Sequence, residues 1–177
     1  MRVISGSLGG RLFAAPASQR VHPMSDKVRG SIFSTLGDLS GLSICDAYSG
    51  SGALSIEAIS RGAKSAIAIE ADPRAVKTIG SNLMTLGLNN QIKLVKNKVE
   101  TWLAYSEAQF DVILADPPYD NLPQARTLSL LASHLTKDGL VVLSWPGKHE
   151  SPTLNGLVLL KSKSFNDAHI FYYRHDQ

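Results

Sequence analysis

The chain has 177 residues, of which 44% are hydrophobic and 19% charged, and it carries a formal net charge of +3. This length supports one well-filled core and is too short for two ordinary domains. No apolar run approaches the roughly 20 residues of a membrane span, and the start lacks the apolar core of a signal peptide, so we expect a cytoplasmic protein.

Cysteine and histidine usage excludes two further classes. The single cysteine, Cys45, lies in an apolar run, so no disulfide framework is available and a buried small side chain is predicted. The five histidines show no ligand-like spacing, and we expect no metal site.

The positive charge is concentrated in the N-terminal segment. Residues 1–37 hold five basic residues and one acidic residue, whereas the rest of the chain holds 13 basic and 14 acidic residues. A basic segment on a nearly neutral body indicates an anionic partner, most often nucleic acid. A merely soluble surface would also account for so few charges.

Residues 1–24 are predicted to form an arm, and residues 25–177 the main domain. In residues 1–15, short apolar pieces alternate with glycines, which fits a β-hairpin turning near residues 7–10. We interpret residues 20–24 as an extended linker.

The first predicted helix follows the arm. Ser25 is a suitable N-cap, and Gly37 ends the apolar pattern. Lys27 and Arg29 fall off the apolar face, so we expect both to face solvent or phosphate.

From residue 42 onward, apolar strands alternate with amphipathic helices, which is typical of a doubly wound, mostly parallel sheet. The predicted strands lie near residues 42–47, 65–70, 91–95, 110–115 and 139–145. The predicted helices lie near residues 52–61, 72–86, 98–105 and 122–136. The last segment predicts an antiparallel hairpin at the sheet edge, with strands at 157–161 and 168–173 and a turn at residues 166–167.

A glycine-rich turn, Gly50-Ser51-Gly52, follows the first predicted strand and precedes a helix. Glycines let a ligand approach the backbone, and the helix N-terminus offers free N–H groups. A dinucleotide fingerprint would need a third glycine where Ser55 stands, so dinucleotide binding is disfavoured. A plain turn would also explain the glycines.

Glu70 ends the second predicted strand, 20 residues after Gly50. An acid at that place can accept both hydroxyls of a ribose. Strand ends are commonly polar, and a solvated acid is the alternative.

The sequence Asp-Pro-Pro-Tyr at residues 116–119 closes the fourth predicted strand. Two prolines cannot continue a ladder, so they end the strand in a stiff rim that carries an acid, carbonyl groups and an aromatic ring. Acceptors beside a flat ring suit the amine of a base, although a proline-rich turn with a capping Asp uses the same residues. With the glycine turn and Glu70, this rim makes three motifs at strand carboxyl ends, where open α/β sheets bind ligands.

These residues resemble the motifs of class I S-adenosylmethionine-dependent methyltransferases. More narrowly, the chain resembles the RsmD-type small-subunit (16S) ribosomal RNA guanine-N2 methyltransferases from end to end. The matching segments are residues 1–6, 26–29, 49–54, 57–58, 60–63, 116–119 and 172–174. The chain departs from the family pattern at residues 22–24, 30 and 98.

The resemblance implies a Rossmann-like class I methyltransferase fold. This is a doubly wound, mostly parallel seven-stranded sheet with an antiparallel C-terminal hairpin and a small N-terminal β-hairpin. S-adenosylmethionine would be the methyl donor. The implied cofactor residues are Asp46, Tyr48, Ser49, Gly50, Gly52, Glu70, Ala71, Val99 and Asp116.

The implied catalytic residues are Asp116, Pro117, Pro118 and Tyr119. Bonds from the guanine amine to the Asp116 carboxylate and the Pro117 carbonyl would favour a pyramidal nitrogen aimed at the methyl group, while Tyr119 stacks on the base. Either Asp116 or water could take the proton.

The implied partner is ribosomal RNA or the assembling small subunit, and we expect a monomer that needs neither membrane nor metal. The residues expected to hold RNA phosphates are Arg2, Arg11, Arg20, Lys27 and Arg29.

Two alternatives stay open. A DNA adenine or cytosine amino-methyltransferase is disfavoured by the lack of a target-recognition domain, and a non-catalytic RNA-binding assembly factor by the intact residues 116–119.

Overall fold

A computed structural model describes residues 1–16, 24–147, 149–166 and 168–176. Most of the predicted linker, including Arg20, and Asp167 of the predicted hairpin turn lie outside the described residues. None of the helices in the described ranges has the length and apolar character needed to cross a membrane.

Helices and strands alternate through most of the chain, as the hydrophobic pattern predicted. The helices in the described residues are α1 (Asp26–Leu36), α2 (Ala53–Ser60), α3 (Pro73–Leu86), α4 (Val99–Tyr105) and α5 (Ala125–Ser133). The strands are β1 (Ser43–Ala47), β2 (Ser65–Glu70), β3 (Ile92–Lys96), β4 (Phe110–Ala115), β5 (Leu135–Pro146), β6 (Leu157–Ser164) and β7 (Ala168–His175).

The strands form one sheet in the order β3-β2-β1-β4-β5-β7-β6. All pairs from β3 to β5 are parallel, and β7 runs antiparallel to both β5 and β6. The predicted fold class is therefore confirmed. The chain reverses its direction of travel across the sheet at β4, so the crevice outside the carboxyl ends of β1 and β4 is the expected ligand site.

Hydrophobic clusters cover the two faces of the sheet. Helices α1, α2 and α3 share one cluster, whereas α4 and α5 belong to the other. Right-handed crossovers explain this division, because the two connections made before the reversal at β4 lie on one face and the next two lie on the opposite face.

The boundary between α5 and β5 differs from the prediction. The helix ends at Ser133, and the strand begins at Leu135, within the range predicted as helix. His134 makes the turn, because its ring nitrogens lie 2.6 and 2.9 Å from the backbone carbonyls of Ala108 and Leu103. These contacts, and the pairing of Leu135 with Phe110, override the helical pattern.

The arm forms the predicted hairpin. Its strands meet at an antiparallel bridge between Arg2 and Leu12, and the Val3 N–H donates to the Arg11 carbonyl at 2.9 Å. Val3 and Phe13 belong to the same buried cluster as α1, α2 and α3. The arm therefore shares the main core, and the division of the chain at residue 24 stays a prediction.

Polar contacts anchor the arm to α2 and α3. Glu57 accepts the N–H groups of Ile4 and Ser5 at 2.8 and 3.1 Å. The side chain of Asn82 pairs with both backbone groups of Ala14, at 2.8 and 2.9 Å. Both anchors are buried, so each satisfies arm backbone groups that would otherwise lose their water.

Candidate active site

The glycine turn after β1 has an unusual backbone. Tyr48, Gly50 and Gly52 have φ values of 66°, 54° and 76°. A tyrosine in the left-handed region is uncommon, and such strain concentrates at functional sites. A Cβ at Gly52 would lie 3.2 Å from a methyl carbon of Ile79, so a glycine lets the turn lie close against α3.

Glu70 holds this turn in place. Its carboxylate accepts the Gly50 N–H at 2.8 Å through one oxygen and the Asp72 N–H at 2.8 Å through the other. Each carboxylate oxygen can accept a second bond, so hydroxyl groups of a ligand can still reach it. Glu70 therefore shapes the turn as well as being a candidate ligand contact.

Asp46 is a buried acid beneath the turn. One carboxylate oxygen, Oδ2, accepts the N–H and hydroxyl of Ser55 at 3.0 and 2.6 Å. The other oxygen, Oδ1, is buried and finds no hydrogen-bond partner among the described residues. Burial raises the pKa of Asp46 to about 7, the Ser55 bonds oppose that rise, and the charges of Asp116 and Glu70 add to it.

The rim, residues 116–119, follows β4 directly. Burial of its carboxyl raises the pKa of Asp116 to about 6, although a hydrogen bond from Ser144 lowers it.

The Pro118 carbonyl accepts the Asn121 N–H at 3.0 Å, which leaves the Pro117 carbonyl as the candidate acceptor for a substrate amine. Tyr119 is 39% exposed, and its hydroxyl lies 2.7 Å from that of Ser144.

Three carboxylates therefore meet at neighbouring strand ends, with Asp46 on β1, Glu70 on β2 and Asp116 after β4. We call this place the acidic crevice. Two of these acids resist ionisation in the folded chain. A positively charged ligand would relieve that resistance and give Asp46 Oδ1 a partner, so the crevice fits a cation such as a sulfonium or ammonium group. In the described part of the chain, no cluster of His, Cys, Asp and Glu could hold a metal ion.

A family model described as conserved hypothetical protein 95 matches residues 1–174. The chain belongs to this family, the RsmD-type methyltransferases. YlbH of Bacillus subtilis (strain 168), named as a candidate rRNA methyltransferase, is 35% identical over 98% of this chain and 98% of its own. Ribosomal RNA small subunit methyltransferase D of Escherichia coli (strain K12) is 31% identical over 89% of this chain and 77% of its own.

Solved structures share the fold. The candidate methyltransferase yhhF of Escherichia coli matches with a TM-score of 0.90 at 27% identity, covering 99% of this chain and 98% of its own. SMU.776, a candidate methyltransferase complexed with SAH, has a TM-score of 0.69 at 15% identity over 83% of this chain and 48% of its own. At that lower identity, the likeness shows the fold alone.

The remaining predicted cofactor residues follow the carboxyl ends of β1, β2 and β3. Tyr48 is half-buried, and burial, together with the charge of Glu100, raises the pKa of its hydroxyl. Val99 is the first residue of α4, so its N–H is one of the groups without a partner inside that helix. Ala71 is exposed directly after β2.

One predicted RNA contact of this family member is wrong. Arg29 is fully buried, where it donates to the Arg2 carbonyl at 2.7 Å and to Asp26 at 2.9 Å. Its Nε also lies 3.9 Å from Glu57. Arg29 therefore ties α1 to the arm and to α2 and does not reach phosphate, because helical spacing did not reveal that the arm covers that face of α1.

The other predicted phosphate contacts lie at the surface where the structure describes them. Arg11 and Lys27 are exposed. The Arg2 side chain is 68% exposed, and it pairs with Asp26 at 3.3 Å. Arg20 lies outside the described residues.

Sequence reasoning missed two residues with clear roles. Glu57 anchors the arm, and its spacing four residues before Arg61 was a signal for an ion pair, which is observed at 2.7 Å. Ser144 contacts the rim from β5. Its only signal was one polar residue within a run of apolar residues.

Proposed function

We propose that this protein is a ribosomal RNA methyltransferase that transfers a methyl group from S-adenosylmethionine to the N2 amine of a guanine in small-subunit (16S) ribosomal RNA. The observation that carries the proposal is the acidic crevice ending in the rim, with an acid and an exposed tyrosine side by side. The names of both relatives, which refer to rRNA methylation, support the choice of RNA.

The acidic crevice supplies contacts for each part of the methyl donor. S-adenosylmethionine carries the methyl group on a positively charged sulfur and has an ammonium group in its amino-acid part. Asp46, whose Oδ1 is buried without a partner in the described chain, would accept from the ammonium. Glu70 would accept the ribose hydroxyls, and the Val99 N–H would face the adenine. The proposed site is completed by Tyr48, Ser49, Gly50, Gly52 and Ala71.

The rim would activate the amine by position and charge. The lone pair of a guanine amine is delocalised into the ring, so the amine is a poor nucleophile. Hydrogen bonds from the amine to the Asp116 carboxylate and the Pro117 carbonyl favour a pyramidal nitrogen that points at the methyl carbon. As the nitrogen–carbon bond forms and the carbon–sulfur bond breaks, positive charge passes to the nitrogen. Asp116 stabilises that charge, and the proton then leaves to Asp116 or to water.

RNA would approach the rim with the target base unstacked and resting on Tyr119. Arg2, Arg11, Arg20 and Lys27 would hold phosphates, which gives affinity and register without reading sequence. We further propose that the protein acts in the cytoplasm as a monomer, on ribosomal RNA or on the assembling small subunit.

The test is transfer of labelled methyl groups from S-adenosylmethionine to small-subunit ribosomal RNA from cells that lack the gene. The RNA is then digested, and mass spectrometry locates the methyl group. We expect N2-methylguanine with the wild-type protein, and a single-turnover rate lower by roughly 10² or more with Asp116→Ala. A thermal unfolding curve that matches the wild-type curve confirms that the variant is folded.

Other outcomes would overturn the proposal in distinguishable ways. Label on adenine or cytosine amines of DNA, and not on RNA, would identify a DNA amino-methyltransferase. RNA binding without transfer by the wild-type protein would indicate a non-catalytic assembly factor. Transfer that survives Asp116→Ala unchanged would remove the rim from the reaction.

A further inference from the structure

Ser144 is a buried hydroxyl next to the rim. It lies within β5, is 3% exposed, and its Oγ is 2.7 Å from the Tyr119 hydroxyl. Parallel pairing matches Ala115 with Leu143, so the next residues along the two strands, Asp116 and Ser144, lie side by side. One hydroxyl thus connects the two rim side chains to which we assign the chemistry.

The direction of this connection follows from proton counting. A serine hydroxyl has one proton to donate. An ionised carboxylate can only accept, so Ser144 is the donor in the hydrogen bond that lowers the pKa of Asp116. While Asp116 is ionised, the Ser144 hydroxyl therefore accepts from the Tyr119 hydroxyl, 2.7 Å away. A chain of two hydrogen bonds therefore runs from the Tyr119 hydroxyl, through Ser144, to Asp116.

We propose that Ser144 is a positioning residue for methyl transfer, whose hydroxyl joins the Tyr119 ring and the Asp116 carboxylate into one rigid unit. The catalytic part of this inference rests on the proposed function, but the hydrogen-bonded chain does not. A tyrosine ring tethered at its hydroxyl presents one fixed stacking surface to the base. A carboxylate tethered at one lone pair keeps its other lone pairs aimed at the amine.

Ser144 also supports the charge that the reaction needs. The amine can donate to Asp116 only while the carboxyl is ionised, and burial opposes ionisation. The titratable groups that face this part of the acidic crevice from β1 and β2 are Asp46 and Glu70, which are acids themselves. Neither acid favours the ionised form of Asp116, whereas the hydrogen bond from the Ser144 hydroxyl does.

Ser144→Ala removes this chain of hydrogen bonds, and Thr136→Val is the matched control. Thr136 also lies on β5, and its hydroxyl also donates to an acid of the neighbouring strand, Asp111, at 3.1 Å. It lies at the opposite end of β5 from the rim. Both variants therefore delete one hydroxyl from the same strand, and only Ser144→Ala affects the rim. Ser144→Cys, which keeps the volume but donates weakly, is the second variant if the alanine variant folds poorly.

We expect Ser144→Ala to lower the single-turnover methylation rate roughly tenfold or more, since a small misplacement of reacting groups has that effect. The dissociation constant for S-adenosylmethionine should stay within twofold. The acidic limb of the pH–rate profile should move upward by about one pH unit, the scale for losing a hydrogen bond to a charged group. Thr136→Val should change none of these. Adding Tyr119→Phe to Ser144→Ala should cost little more, because both act through one chain.

Carbon-13 NMR titration of the Asp116 carboxyl, without RNA, separates this inference from the proposed function. We expect its pKa to rise in Ser144→Ala and to stay unchanged in Thr136→Val. If the wild-type protein transfers no methyl group, the proposed function fails. The titration still decides whether the hydrogen bonds from Tyr119 through Ser144 to Asp116 exist. An unchanged carboxyl titration, or equal rate losses in both variants, would overturn the role of Ser144.

Discussion

Among single residues, the proposed contact of Asp46 with the cofactor predicts that cofactor binding depends on pH. Its pKa is raised to about 7, so the carboxyl is largely protonated at pH 5 and half ionised at pH 7. A positive ligand favours the ionised form, so binding expels the proton and strengthens as the pH rises. We expect S-adenosylmethionine to bind at least about tenfold more weakly at pH 5 than at pH 7, by linkage from one such group.

Calorimetry in buffers of different ionisation enthalpy measures that proton release. Asp46→Asn should bind more weakly at pH 7 and show a flatter pH dependence, with the residual slope due to Asp116. The free protein offers a second check of opposite sign. Because the folded pKa is raised, Asp46 contributes stability at low pH that is lost as the pH rises through about 7. Asp46→Asn should therefore raise the melting temperature at pH 8. If the affinity of the wild-type protein for S-adenosylmethionine does not change between pH 5 and pH 7, the assignment of Asp46 is wrong.

At the scale of elements, the arm depends on close contact with the end of α2. The Ser7 N–H donates to the Ser60 carbonyl at 2.7 Å, and Gly6 lies so near that a Cβ there would be 1.8 Å from the same carbonyl oxygen. Gly6→Ala must push the arm off α2, which would also disturb the buried contacts of Val3.

Gly10 provides a matched control for that substitution. Its φ of 83° equals that of Gly6, 84°, within a degree, but a Cβ at Gly10 meets no atom within 4 Å. Both alanine variants carry the same backbone strain, about 1–2 kcal/mol. We expect Gly6→Ala to lower the free energy of unfolding in urea by roughly 2 kcal/mol more than Gly10→Ala, a usual scale for a forced clash. Equal losses would show that the arm is not docked as described.

Across the whole molecule, negative charge is concentrated in the acidic crevice, and positive charge is concentrated in the arm and in α1. Arg11 and Lys27 are exposed cations of the basic part, whereas Arg29 is committed to internal contacts. Replacing Arg11 and Lys27 by Ala should therefore weaken binding of small-subunit ribosomal RNA without changing cofactor affinity. The log–log salt slope should fall by about 1.5, since each lost phosphate contact removes about 0.7–0.9.

Lys64 and Lys137 provide the control for this charge effect. Both are exposed, and both lie near the amino ends of strands, at the sheet edge opposite the rim. Replacing this pair removes the same net charge, yet it should leave most of the salt slope intact. If the two double variants lose equal slope, only net charge matters and the arm is not a docking surface.

Local sequence patterns were enough to predict the α/β alternation and the edge of the sheet at which the candidate site lies. Gly50, Glu70 and Asp116 each follow a run of apolar residues that must be a strand, and parallel strands bring their carboxyl ends to one edge. These are local patterns, which hydrophobic period and proline chemistry specify without knowledge of neighbours.

Tertiary packing alone revealed which side chains meet across distant segments. Glu57 reaches the N–H of Ile4, 53 residues away, and Ser144 reaches Tyr119, 25 residues away. A serine within a strand or an arginine on a helix has the same local pattern whether it faces water or a partner. Packing of the arm buried Arg29, and the order of strands placed β5 beside the rim, because burial and pairing depend on the whole chain's arrangement and not on spacing along it.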